Sequence, residues 1–315
     1  MVPSTLIPVP DPIPVHWGWM QFLLTLTFIL HLLFMNTMLG SAVIALVEHI
    51  KNRNGESLIA KDVSGKLPFT IAFTVNLGVA PLLFVQVLYG HFMYTSSILI
   101  GVWWLSVIAL LIVAYYSAYY YGFKCKGRGQ LGWIPMALTS SLFMIIAFIY
   151  TNNMTLMIQP DRWTSYFSNR SGTMLNLTDP TLLPRYLHFI IASLAVGGLA
   201  MALYYTLKSK RHPELSFQEQ IQTGMKWFSH STLLQIFIGF WFFLALPRPI
   251  MKLFMGGNML YTGIFGIGLI LGIGLVIVGY KKKVVASVVM TITTVTVMVV
   301  MRDFVRSGYL GEYFT

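Results

Sequence analysis

Four histidines lie inside long apolar stretches of this sequence, and their side chains are the ones best suited to chemistry there. They are His31, His91, His188 and His230, each in a different stretch. Neutral imidazole is a strong iron ligand, and haem is a large apolar plate that a bundle of helices can bury. The pattern therefore favours b-type haem ligation. The alternative is that these histidines only pack helices together through hydrogen bonds.

The composition identifies the solvent in which these histidines lie. Apolar side chains make up 56% of the 315 residues and charged ones 10%, whereas a soluble chain carries about 25% charged residues. So few charges cannot cover a water-facing surface, and the bilayer is the expected solvent. Cys125 is the only cysteine, which excludes a disulfide framework, covalent c-type haem attachment and a cysteine-ligated cluster within this chain.

Stretches of about 20 apolar residues, the length that spans a bilayer, occur eight times. They predict an all-α integral membrane protein with a bundle of about eight transmembrane helices. Residues 1–315 then form a single transmembrane domain with an outer loop at 152–182 and an outer C-terminal tail at 303–315. The predicted spans are 17–48, 68–95, 97–122, 132–151, 183–208, 219–246, 258–280 and 283–302.

The basic residues predict the orientation of the bundle. Most of the 21 lysines and arginines follow odd-numbered spans, in groups such as Lys124 to Arg128 and Lys281 to Lys283. Basic loops stay in the cytoplasm, so both termini are expected on the outer, periplasmic side of the cytoplasmic (inner) membrane. The net charge of +11 is then a topological signal and requires no nucleic-acid partner.

Depth along the spans sorts the histidines into two pairs. At about 1.5 Å per residue, His91 and His188 lie near the outer ends of their spans, and His31 and His230 lie near the middle. We therefore expect two bis-histidine b-type haems, one outer and one central. Arg185 lies one turn before His188 and is the expected partner of a haem carboxylate.

The acidic residues narrow the class of function. All ten lie in loops or at predicted helix ends, which disfavours a proton pump that needs a carboxylate at membrane depth. Quinol oxidation instead needs a polar pocket at an interface, with a proton acceptor. The candidates for that acceptor are Asp11, His16 and Asp303 outside, and Glu48 and His49 inside.

Two sequence segments resemble subunit I of the cytochrome bd-type quinol oxidases. LTFILHLLFMNTMLG (26–40) is similar to that family's LTxxxHxLFxxxxLG stretch, which implies that His31 is a haem ligand. RYLHFIIASLAVGGLAMALYYTLK (185–208) is similar to its RxxHxxxAS…G…YxLK stretch, which implies that His188 ligates a low-spin haem. The resemblance covers roughly residues 17–246, and 66–97 matches the family's second helix only weakly.

The departures from that family are as informative. The family's glutamates in the second and third helices are missing, and only residues 247–258 connect spans six and seven where the family has a long quinol-binding loop. The methionine that pairs with the helix-five histidine also has no counterpart, and His91 is its expected substitute. The chain therefore resembles a shortened relative that keeps haem ligands and lacks the oxygen-reducing site.

These observations predict a membrane cytochrome b-type electron-transfer subunit of a respiratory complex. Its two haems would pass electrons between menaquinol or ubiquinol and a redox subunit on the outer side, such as a c-type, possibly multihaem, cytochrome. One alternative is a haem-free or degenerate structural subunit, and another is an oxygen-reducing bd-type quinol oxidase subunit. A transporter is disfavoured because the sequence shows no acids at membrane depth, no internal repeat and no broken helices, and a pore because glycines in the seventh span more often indicate close helix packing.

Overall fold

The computed structural model describes residues 7, 12–52, 56–125 and 131–313, and almost all of them are helical. Eight helices in these ranges are long and apolar enough to cross a membrane, and the short α7 precedes α8. The all-α membrane fold is therefore confirmed. The helices are α1 Trp17–Lys51, α2 Leu58–Leu99, α3 Gly101–Tyr120, α4 Trp133–Met157, α5 Leu182–Arg211, α6 Gln218–Ala245, α7 Arg248–Lys252, α8 Met259–Tyr280 and α9 Val284–Leu310.

The two ends of the bundle differ in the chain segments that they carry. If each long helix crosses once, α1 begins and α9 ends at the same end, which we call the termini end. The other end, the basic end, carries Lys51, Lys208 and Lys281 to Lys283. That the termini end faces outward stays a prediction from the basic residues.

Helix α5 forms the centre of the bundle because small residues let its neighbours approach closely. A Cβ on Gly40 of α1 would overlap the backbone carbonyl of Ser193, and a Cβ on Gly197 would meet the α1 backbone at Gly40 and Ser41. On the other side, a Cβ on Gly198 would lie 2.7 Å from the Gly224 carbonyl oxygen of α6. Close backbone approach at small residues is a typical way of packing membrane helices.

Helix α2 is longer than the predicted span 68–95. It begins at Leu58, where the Ser57 side chain accepts a hydrogen bond from the Ala60 amide at 3.3 Å, an N-cap that the hydropathy pattern does not reveal. Its first turns bury Ile59 and Leu67. Helix α2 also contains a kink at Tyr89, whose backbone leaves the helical region (φ −132°, ψ 32°).

The predicted C-terminal tail at 303–315 is mostly helix. Helix α9 continues to Leu310, because Val305 and Leu310 are buried against other helices. Residues 314 and 315 lie outside the described residues. The last two turns of α9 therefore pack Asp303 and Arg306 against the bundle. The prediction that these residues belong to a tail was wrong.

The predicted loop at 152–182 is ordered around buried polar side chains. Helix α4 extends to Met157, and the Asn152 side chain accepts a hydrogen bond from the Asn176 amide at 3.0 Å. The Asp179 carboxylate accepts hydrogen bonds from Gln159 and from the amide and hydroxyl of Thr181. These bonds satisfy buried polar groups and fix the loop across the termini end.

Candidate functional site

His31 packs against α2 in an orientation that suits a metal ligand. Its Nδ1 donates a hydrogen bond to the Thr74 backbone carbonyl at 3.0 Å, and its ring lies so close to Gly78 that a Cβ there would be 2.8 Å from Cε1. A hydrogen bond from Nδ1–H to a carbonyl leaves the lone pair on Nε2, as in most metal-bound histidines. His31 thus has one nitrogen occupied and one suited to ligation.

His188 lies in the contact between α5 and α6. A Cβ on Gly239 of α6 would lie 3.3 Å from its Cε1, and its backbone carbonyl accepts a hydrogen bond from the Gln235 side chain at 2.8 Å. Among the described residues, neither Nδ1 of His188 nor Oε1 of Gln235 has a hydrogen-bond partner, although both atoms are buried. Buried polar atoms without partners are costly, which makes this contact a candidate ligand site.

The glycine contacts fix the relative depth of His31 and His188. His31 lies nine residues before Gly40, and His188 lies nine residues before Gly197, where α1 and α5 touch. Both helices run in the same direction, so both histidines lie about 13 Å from this contact, at about the same depth. Nine residues also turn a helix through about 180°, so each ring points away from the contact. His31 accordingly faces α2 and His188 faces α6.

The same reasoning places His91 and His230 at other depths. His91 is thirteen residues beyond Gly78, about 20 Å nearer the termini end than His31. His230 is nine residues before Gly239, about 13 Å nearer the basic end than His188. Together they span about 33 Å, close to the ~30 Å of a hydrocarbon core. Neither pair expected from the sequence, His91 with His188 or His31 with His230, is brought together.

The surroundings of His230 also differ from those of a ligand. Its side chain is exposed on the outside of the bundle, with Nδ1 donating to the Lys226 carbonyl of its own helix at 2.8 Å. The ring makes an edge contact with Tyr280 of α8. His230 therefore points towards lipid or a neighbouring protein.

Three arginines converge near His188 at the termini end. Arg185 of α5 lines a small cavity together with Arg302 and Arg306 of α9. Nε and Nη2 of Arg185, and Nε and Nη1 of Arg306, are buried and have no hydrogen-bond partner in the described part of the chain. A cation within a membrane bundle is stable only when it is paired or hydrogen-bonded, so these N–H groups are suited to an anionic ligand.

Each guanidinium of this cluster, which we call the arginine cluster, is held over an aromatic ring. Arg185 lies 4.9 Å from the Phe242 ring centroid, Arg302 4.5 Å from Phe28, and Arg306 4.1 Å from Tyr89. These rings belong to α6, α1 and α2. Cation–π contacts of this length stabilise a desolvated guanidinium and fix its orientation.

One carboxylate lies against the arginine cluster. Asp303 accepts hydrogen bonds from Arg306 Nη2 and from the Gln21 side-chain amide, both at 2.7 Å. Arg302 is 3.9 Å from the same carboxylate. The first and last long helices of the bundle are thereby joined through Gln21 and Asp303.

The candidate proton acceptors for quinol are already engaged in other contacts. His16 caps α1 by accepting from the Gly18 amide at 3.1 Å, and Glu48 pairs with Lys51 at 3.0 Å. His49 is 1% exposed and hydrogen-bonds to the Tyr121 hydroxyl at 2.8 Å. Asp303 belongs to the arginine cluster, and Asp11 lies outside the described residues.

Sequence reasoning identified Arg185 but overlooked Arg306, Asp303 and Gln21 as its companions. The spacing of Arg302 and Arg306 could have revealed the cluster, because residues four apart share one face of a helix. Ending the last span at residue 302 concealed it. No protein-family model, curated protein or solved structure was found to match this chain.

Proposed function

We propose that this chain is a b-type cytochrome subunit that carries electrons across part of a membrane. The observation that carries the proposal is the proximity of two kinds of unsatisfied group. His188 has a buried nitrogen without a partner, and Arg185, one turn away, has buried N–H groups without partners within the described ranges. Haem supplies an iron for the first and carboxylates for the second.

His31 offers a second nitrogen that suits iron. His31 has its Nδ1 bonded to Thr74 and its ring against Gly78, so its Nε2 is the nitrogen that would bind iron. His188 would be the iron ligand at the α5–α6 contact, where its ring packs against Gly239. The likeness of residues 26–40 and 185–208 to cytochrome bd-type subunit I supports the same two ligands.

The haem iron supplies one-electron transfer, and the protein supplies position and surroundings. Apolar helices exclude water from the two histidines, and the arginine cluster places positive charge beside His188, which favours an added electron there. Menaquinol or ubiquinol would be the donor within the membrane. With Cys125 alone, this chain cannot attach a c-type haem, so a separate redox subunit, such as a multihaem cytochrome on the outer side, would accept the electrons.

This proposal differs from the expected pairing of ligands. His31 and His188 would each hold a separate haem, at about the same depth. His91 and His230 lie about 20 Å and 13 Å away from that depth, in opposite directions, and are assigned no iron. Oxygen reduction is not proposed, because the sequence has no aspartate or glutamate between residues 63 and 160.

Visible difference spectra of the purified protein test the proposal. We expect a reduced b-type spectrum in the wild type, and loss of about half of the haem in His31→Ala and in His188→Ala. His230→Ala is the matched control, because it removes a membrane histidine whose ring is exposed, and it should retain the full haem content. A wild type without b-type absorption would refute the proposal, and so would equal losses in all three variants.

A haem-free structural subunit is the second candidate, and the contacts of His31 favour it. Its hydrogen bond to Thr74 and its close fit against Gly78 also suit a residue that only joins α1 to α2. In that case His31→Ala lowers stability, and neither it nor His188→Ala alters any visible absorption.

A further inference from the structure

We propose that Arg185, Arg302 and Arg306 form one binding site for an oxyanion, a phosphate or carboxylate group, at the termini end of the bundle. The site combines one side chain from α5 with two from α9, so neither helix makes it alone. Arg306 is 5% exposed, and two of its three guanidinium nitrogens have no partner in the described structure. The site exists whether or not the chain binds haem.

The charges of the cluster leave an excess. Two of the three guanidiniums, those of Arg302 and Arg306, contact the Asp303 carboxylate, at 3.9 and 2.7 Å. Asp179 interacts electrostatically with Arg185, and its oxygens already accept from Gln159 and Thr181. Even when both acids are counted, one positive charge remains uncompensated in a region of low dielectric. A ligand with at least one full negative charge would balance it.

The geometry favours an oxyanion over other anions. The cation–π contacts hold the three guanidinium planes in place, and guanidinium N–H groups match the paired oxygens of carboxylate and phosphate. The cavity that the three share is small, with room for about one oxygen atom or water molecule, so only the charged end of a ligand enters it. The rest of the ligand would leave the cavity beside Arg302, whose side chain is 30% exposed.

Phosphate and carboxylate groups could come from three sources, and Arg185 is shared with the haem carboxylates of the function proposed above. Free phosphate and a lipid headgroup offer phosphate oxygens, whereas haem offers carboxylates. Because the chemistry is the same, the experiment must separate the sources. Wild type and His188→Ala allow this, since the second is expected to lose the adjacent haem and keep all three arginines.

Thermal unfolding of the full chain in a zwitterionic detergent is the first measurement. Inorganic phosphate is titrated against sodium chloride of equal ionic strength, and Arg306→Gln is compared with Arg248→Gln, an exposed arginine at the same end. We expect phosphate to stabilise a protein with a free site, with binding at least tenfold weaker in Arg306→Gln and unchanged in Arg248→Gln. Nanodiscs of phosphatidylglycerol should reproduce the stabilisation, relative to phosphatidylcholine, if a lipid is the source.

The outcomes distinguish the sources and can overturn the site. Stabilisation of both wild type and His188→Ala supports a phosphate ligand, and stabilisation of His188→Ala alone supports haem carboxylates in the same site. The proposal fails if phosphate matches chloride in every protein, or if Arg248→Gln weakens binding as much as Arg306→Gln. A wild type that binds phosphate but contains no haem would refute the cytochrome proposal and leave the oxyanion site intact.

Discussion

His31 and His188 lie at about the same depth, on opposite sides of the contact between α1 and α5. Each is nine residues from the glycine at which the two backbones touch, Gly40 in one helix and Gly197 in the other. His31 therefore faces α2, and His188 faces α6. A chain that used both as iron ligands would carry two cofactors side by side in the plane of the membrane, rather than stacked from one surface to the other.

Spin labels can measure this common depth. In a Cys125→Ser background, labels at Leu30 and Phe240, exposed neighbours of the two histidine positions, should report immersion depths within about 5 Å of each other. Labels at Tyr94 and at His230→Cys should lie near opposite surfaces, since the helix rise separates their levels by more than 30 Å. Accessibility to oxygen and to a nickel chelate gives the depths. Labels at Leu30 and Phe240 that differ by 10 Å would contradict the assignment.

The close fit of His31 against α2 predicts the effect of Gly78→Ala. The added methyl group meets the ring at 2.8 Å, so the imidazole must move and its bond to Thr74 must lengthen. We expect a loss of about 1–3 kcal/mol in the free energy of unfolding. Gly90→Ala is the control on the same helix, because its methyl group would meet only the Tyr94 ring at 3.8 Å. Equal effects of the two substitutions would show that His31 is not the constraint.

The contact of α1 with α5 predicts a larger effect for Gly40→Ala. The new Cβ would overlap the Ser193 carbonyl, which is backbone and cannot rotate away, so the two helices must separate. We expect a loss of about 3 kcal/mol or more in unfolding free energy, at the upper end of the cost of overpacking a core. Gly266→Ala of α8 meets nothing within 4 Å and should be neutral or slightly stabilising. Denaturation by SDS in mixed micelles, followed by far-UV circular dichroism, gives both values.

Removal of the acid from the arginine cluster should destabilise the protein strongly. Asp303→Asn keeps the shape and removes the charge that Arg306 contacts at 2.7 Å, which leaves three cations together in the bundle. Breaking a buried ion pair in this way costs about 3–5 kcal/mol. The double variant Asp303→Asn with Arg306→Gln should recover part of the loss, because the excess charge falls again. If the double variant is no more stable than the single one, the two charges are not coupled.

At the basic end, the pair of Lys208 and Asp62 should matter more than an exposed pair. Their charged atoms are 2.8 Å apart, and the ammonium group also lies 5.0 Å from the Phe217 ring centroid. We expect Lys208→Met to lower the unfolding free energy by about 1–3 kcal/mol. Lys61→Met removes a more exposed and longer pair with Glu56, at 3.7 Å, and should change it by less than about 1 kcal/mol.

Hydropathy was enough to predict the eight spans, because a bilayer imposes a length and a composition on every crossing segment. It could not locate the ends of the helices. Helix α2 begins at Leu58 because of the Ser57 cap, and α9 continues to Leu310 because Val305 and Leu310 are buried, and neither cause appears in an average over apolar residues.

The candidate site was predicted in part and for a physical reason. Burial of polar side chains in apolar helices is costly, so His31, His188 and Arg185 could be recognised from the sequence. The relative depth of these residues could not be predicted. It was counted from the predicted span ends, which assumes that all spans end at one plane. Gly40 and Gly197 set the true register, and only contacts between helices reveal it.

The hydrogen bond from Gln21 to Asp303 has a consequence for biosynthesis. It joins α1 to α9, helices that leave the ribosome first and last among those described, across 282 residues of sequence. Until α9 is inserted, Arg185 lacks its two neighbouring arginines, and Gln21 lacks its acceptor, Asp303. A chain arrested before α9 would therefore leave the Gln21 amide without this partner, and the arginine cluster would form only when the last helix packs against the first.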